Sequence, residues 1–290
     1  MITKNTPSDT AISPKKGILV VSFGTSHPDT RAVTINAIEE SIRNAHPDLA
    51  VYSAWTSQMI IRKLSRTTGE HIPTVTEALK NMRRDGITDV RIQPTHILNG
   101  IENDRMTADA LAFRDQFSSI SFGAPLLSST EDLKEVISIL AGEYSFLKED
   151  EALILMGHGS DHFSNTVYAA LDYMCKDLRL SHIHVGTVEA YPAPRDVLRH
   201  LEGSPIRSLH LLPLMIVAGD HAKNDMAGDD PDSWKEQFRS AGYQVTCHLK
   251  GLGEFPQIRK IFRISMRIFM AVFRRLILIV YLSIGMCSLR

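Results

Sequence analysis

Short apolar runs alternate with amphipathic stretches along most of this chain. Gly17-Ile18-Leu19-Val20-Val21-Ser22-Phe23 is apolar at consecutive rather than alternate positions and stops at Gly24. Such a run suits a parallel-sheet strand covered on both faces. Helical spacing follows, with Ala32, Ile35, Ile38 and Ile42 on one face, and predicts a helix over 30–44. The same reading predicts strands at 50–55, 89–94, 119–122, 152–156, 182–188, 208–213 and 243–248. Helices are expected near 57–66, 74–85, 103–117, 130–142, 165–177, 195–202 and 233–241. Alternating βα units imply parallel strands with helices on both faces of a sheet.

The pattern repeats. Ile18 to His27 lines up with Leu153 to His162 at an offset of 135 residues, and Pro94 to Glu102 with Pro213 to His221 at an offset of 119. The motif order is kept while the spacing differs, so the halves differ in loop or helix length. The fold class expected is α/β, with two similar doubly wound parallel-sheet domains facing a central cleft. The boundaries read are a flexible lead at 1–15, an N-terminal half at 16–129, a C-terminal half with the metal site at 130–262, and an atypical tail at 263–290.

Composition narrows this little further. The 290 residues are 43% hydrophobic and 22% charged, a globular profile with room for two average domains. A net charge of −1 gives no whole-molecule reason to expect nucleic acid. The three cysteines, Cys175, Cys247 and Cys287, form no CxxC pair, which fits a reducing, cytoplasmic setting better than a disulfide framework or a cysteine-built zinc site. The polar first ten residues do not read as a secretory signal. After Glu254 no acidic residue occurs, and the last apolar run, Leu276 to Leu289, falls short of the roughly 20 residues that span a bilayer. A membrane-surface helix, an ordinary packed helix and a frame-shifted end all fit that tail, with the foreign end favoured and membrane association least favoured.

Candidate chemistry follows from topology, because ligands of open parallel sheets bind beyond the carboxyl ends of strands. His158 lies in Met156-Gly157-His158-Gly159-Ser160, Glu189 follows the strand at 182–188, and His221 lies in the polar stretch after 208–217. Two imidazoles and a carboxylate can hold a divalent metal and leave positions open for exchange. Each also has a plainer role open to it: a helix cap for His158, a helix N-terminal carboxylate for Glu189, a solvated loop histidine for His221. Glu102 occupies the repeat position of His221, which places a carboxylate across the cleft. Gly24-Thr25-Ser26 reads either as an anion loop or as a tight turn, and His27, His96 and His162 read as structural. The same ligand set leaves a facial-triad iron oxygenase and a non-enzymatic metal or haem carrier as alternatives.

Val20 to Ser26, Met156 to Gly159, Val188-Glu189-Ala190-Tyr191-Pro192 and the long string Pro213 to Met226 resemble the anaerobic sirohydrochlorin cobaltochelatases, class II tetrapyrrole chelatases of cobalamin biosynthesis. The resemblance runs from about residue 16 to about 261. It implies a chelatase-like fold of two halves and a lyase that inserts Co²⁺ into sirohydrochlorin, or its precorrin form, with release of two pyrrole protons. It implies cobalt ligands at His158, Glu189 and His221, and a further cleft carboxylate at Glu102, which with His158 and His221 makes the catalytic set. Asp220, Asp225 and Met226 fit the long string without an assigned role. No prosthetic cofactor is implied, Co²⁺ being a substrate. Iron or nickel insertion stays open as the alternative metal, and a homo-oligomer is left open. A many-carboxylate substrate makes Arg31, Arg62, Arg105, Arg195 and Lys223 candidates by position, each with surface solvation as the plainer reading.

Overall fold

The computed structural model describes residues 15–264. The expected lead at 1–15 and tail at 263–290 therefore lie, apart from their junction residues, outside the described residues. The first half contains strands β1 (Lys16–Ser22), β2 (Ala50–Trp55), β3 (Asp89–Pro94) and β4 (Ser119–Phe122), and the second contains β5 (Glu151–Gly157), β6 (Ile183–Thr187), β7 (Ser208–Pro213) and β8 (Gln244–Cys247). All pairs are parallel, and the orders β2-β1-β3-β4 and β6-β5-β7-β8 are the same. The repeat in the sequence is thus a repeat of topology.

Period-two alternation explains how the halves join. Leu19 and Val21 of β1 face a core built with α4 (Val75–Arg84) and α5 (Ile101–Leu111). Ile154 and Met156 of β5 face a core built with α8 (Pro194–Leu201) and α9 (Trp234–Ser240). The alternate residues, Ile18, Val20, Leu153 and Leu155, belong to one shared core. Into it pack α2 (Ile35–Ala45), α6 (Thr130–Glu143), α7 (Thr166–Asp177) and α10 (Pro256–Ile264), through residues such as Ile38, Ile42, Leu140, Leu171, Ile258 and Phe262. Both strand faces are covered, so the strands read as continuous apolar runs.

Three local departures have physical causes. The helix expected over 30–44 is two, α1 (Pro28–Val33) and α2, broken at Thr34 with φ −117° and ψ −82°. The Thr34 hydroxyl donates to the Thr30 carbonyl, and Gly253 presses so close that a Cβ there would sit 2.9 Å from Thr34 Cβ. The helix expected over 103–117 spans Ile101–Leu111 and is followed by a short 3₁₀ turn, Arg114–Gln116, with Phe113 and Phe117 plugging the first-half core. The polar stretch after His221 is a π turn, Ala222–Met226.

Candidate metal centre

β5 is central in its sheet, with β6 on one side and β7 on the other, so the chain reverses its direction of travel across the sheet at β5. This switch point is where a crevice opens above an α/β sheet. His158 follows β5 directly, Glu189 lies two residues beyond β6, and His221 eight beyond β7. Neighbouring strands are about 4.8 Å apart. One potential ligand atom from each of the three side chains lies within 4.8 Å of the other two. Among the described residues no other group of three His, Cys, Asp or Glu residues meets that condition.

The backbone holds this convergence in place. The Val188 N–H donates to the Gly157 carbonyl (3.0 Å) and the Glu189 N–H to the His158 carbonyl (2.9 Å), prolonging the β5–β6 ladder into the loops. Gly159 adopts φ +89°, and a Cβ there would lie 2.8 Å from the Ala190 nitrogen. Only glycine tolerates both the conformation and the approach. Below the loop, the buried Tyr168 hydroxyl oxygen accepts from the His158 and Gly159 N–H groups, while burial pushes its pKa up to about 12.

Hydrogen bonding sets the tautomers. His158 Nδ1 lies 2.8 Å from the Gly159 carbonyl, and His221 Nδ1 lies 2.7 Å from Asp225 Oδ2. Each partner accepts only, so each Nδ1 donates a proton and each neutral ring keeps its Nε2 lone pair free. The two rings meet edge to face with centroids 4.5 Å apart, and His158 Nδ1 lies 3.6 Å from Glu189 Oε2. The Glu189 and His158 side chains are 54% and 44% exposed and His221 is 34% exposed, so the group is open to solvent and to an incoming ligand. The π turn spaces His221 and Asp225 four residues apart on one side, and their i, i+4 spacing was the available signal for this partnership.

The remaining residues singled out in the sequence sort themselves around this centre. Glu102 lies outside the three-residue group, in the first turn of α5, paired with Arg105 at 3.1 Å. It lines a cavity of about 310 Å³ with Trp55, Thr74 and Met106. The second half carries a matching cavity of about 320 Å³, lined by Val188, Arg195, Asp225 and Trp234. Asp225 occupies the repeat position of Met106. The equivalent histidines His27 and His162 each reach the opposite half: His27 Nε2 to Asp220 Oδ1 at 2.7 Å, His162 Nε2 to Asp104 Oδ2 at 3.4 Å. The His27 contact holds the Asp220 carboxyl below its usual range. His96 is buried, and burial pushes its pKa down to about 4.

Gly24 makes a tight turn against Trp55, with φ +106° and room for no Cβ, and the helix beyond it has only six residues. Of the basic candidates, Arg31 stacks on Trp55 and pairs with Glu70, and Lys223 meets His27 and Asp29. Arg62 and Arg195 are exposed.

Comparison with known proteins finds relatives over most of the chain. Residues 16–270 match the family model described as cobalt chelatase (CbiK). The sirohydrochlorin cobaltochelatase of Salmonella typhimurium is 42% identical over 248 residues, covering 86% of this chain and 94% of that protein. The sirohydrochlorin cobaltochelatase CbiKC of Nitratidesulfovibrio vulgaris is 33% identical, covering 83% and 86%. SirB from Bacillus subtilis, solved with Fe³⁺, shares the fold at a TM-score of 0.59 and 14% identity, over 87% of this chain and 94% of its own.

Proposed function

The chain belongs to the cobalt chelatase (CbiK) family, and we propose on that premise that its metal centre is His158, Glu189 and His221, which present Co²⁺ to sirohydrochlorin. The activity itself is that of a sirohydrochlorin cobaltochelatase, a step of cobalamin biosynthesis. The observation that carries the site assignment is the convergence of three ligand atoms within 4.8 Å at adjacent strand ends.

Insertion exchanges one Co²⁺ for two pyrrole N–H protons. Three protein ligands suit such a step better than a closed set of four, because the metal must be released. The Nε2 atoms of His158 and His221 and a Glu189 oxygen hold the ion. The Nδ1–H bonds to Gly159 and Asp225 keep both rings aimed while they do so. As macrocycle nitrogens replace the protein ligands, the freed Nε2 lone pairs become available to the leaving protons, and imidazole is the side chain suited to take a proton near neutral pH. Glu102 stands on α5, whose first turn abuts the loop after β5, with the Gly100 Cβ position 3.2 Å from Ser164 Oγ. A carboxylate there supplies a further acceptor for a pyrrole proton.

The test is anaerobic insertion followed by the macrocycle absorbance. His158→Ala and His221→Ala should each lose insertion while keeping the wild-type circular dichroism spectrum. Full activity in either variant removes that histidine from the centre.

A further inference from the structure

Large apolar side chains exposed together on one rim mark a binding surface. Phe163 is 78% exposed, Tyr191 62% and Ile101 40%. They come from different loops, yet side-chain contacts draw those loops together at one rim. The Phe163 ring packs on His162, centroids 4.1 Å apart, and His162 reaches Asp104 of α5. Asn165 accepts from the Ser160 N–H (3.0 Å) and donates to the Tyr191 carbonyl (2.7 Å), tying the loop after β5 to the loop after β6. Ile101 opens α5, next to Gly100, which approaches Ser164. The rim lies on the same two loops that carry residues of the metal group: Tyr191 is two residues beyond Glu189, and Phe163 five beyond His158.

We propose that Phe163 and Tyr191, with Ile101 beside them, are the apolar grip for the flat π-face of the tetrapyrrole at the metal centre. The inference rests on the chelatase reading above and names the residues that hold the ring. Its occupant follows from continuity with the metal group. A macrocycle whose nitrogens reach an ion held by His158, Glu189 and His221 must lay its apolar face against the loops that carry them. Two aromatic rings offer the stacking partners such a face needs, at little cost in side-chain freedom. The flanking groups Glu102, Arg105 and Asp104 are polar.

The experiment separates ring binding from metal binding. Wild type, Phe163→Ala, Tyr191→Ala and Tyr191→Phe are titrated anaerobically with metal-free sirohydrochlorin, followed by absorbance, and separately with Co²⁺ by calorimetry. Sedimentation velocity records the assembly state of each. Each alanine variant should raise the macrocycle Kd about tenfold, with Co²⁺ binding unchanged, and Tyr191→Phe should retain the wild-type value. Alanine variants that bind the macrocycle as wild type does overturn the assignment. Alanine variants that keep macrocycle affinity and lose a dimer overturn it in favour of a contact between copies of the chain. A wild type that binds no macrocycle at all overturns the chelatase reading itself, a result distinct from both.

Discussion

Removing the carboxylate behind His221 tests whether the second coordination layer sets cobalt affinity. Asp225 Oδ2 accepts from His221 Nδ1 at 2.7 Å and fixes the tautomer that leaves Nε2 free. In Asp225→Ala the ring loses this anchor, and the tautomer with Nε2 protonated, which cannot ligate through Nε2, becomes accessible. Losing such a partner costs roughly 10- to 100-fold in metal affinity, or about 1.4 to 2.7 kcal/mol. The two side chains are 46% and 34% exposed, so solvent screens the pair and the low end of that range applies. The expected result is about tenfold weaker Co²⁺ binding by calorimetry, with a matching fall in insertion rate at limiting metal. Asp225→Asn, which keeps an acceptor oxygen and loses the charge, should fall between. Neither change touches the core, so the thermal midpoint should stay close to wild type. An alanine variant that binds Co²⁺ as tightly as the native protein refutes the argument that Asp225 aims His221.

Gly159→Ala should weaken metal binding and lower stability by about 1 to 3 kcal/mol, because the residue sits at φ +89° and its new methyl meets the Ala190 nitrogen at 2.8 Å; urea melts and Co²⁺ titration read the two effects together. Acid should destabilise the fold through His184, whose pKa burial depresses to about 4. Lys176, which donates toward His184 Nδ1 at 3.4 Å, and His182 and His200 also disfavour its charged form, while Asp172 opposes them. The unfolded imidazole binds its proton below about pH 6.5 and the folded one does not, so this stability is complete above pH 6.5 and is lost as pH falls toward 4. The contribution is on the order of 3 kcal/mol, and His184→Gln should flatten that part of the pH–stability curve measured in urea.

The sequence alone determined the layers and the repeat. Consecutive apolar positions in Ile18 to Val21 and Leu153 to Met156 record burial on both strand faces, and burial is written locally. It also placed His158, Glu189 and His221 at strand ends, because the carboxyl edge of a parallel sheet follows from the order of the elements. The structure brings those three side chains together; their role as ligands is the proposal made above. What the chain could not display is whatever depends on distant partners. Thr34 lies within a regular helical pattern and breaks it because Gly253, more than 200 residues away, packs against it. The i, i+4 spacing of His221 and Asp225 is legible in the chain, but the π turn between them is not, since its i+5 hydrogen bond, Ala227 N–H to the Ala222 carbonyl, follows neither a 3.6- nor a two-residue repeat. Nothing in the local sequence marks Phe163, Tyr191 and Ile101 as exposed. Tertiary packing alone decided that they face water beside the metal group, because exposure is a property of the assembled surface and not of any one segment.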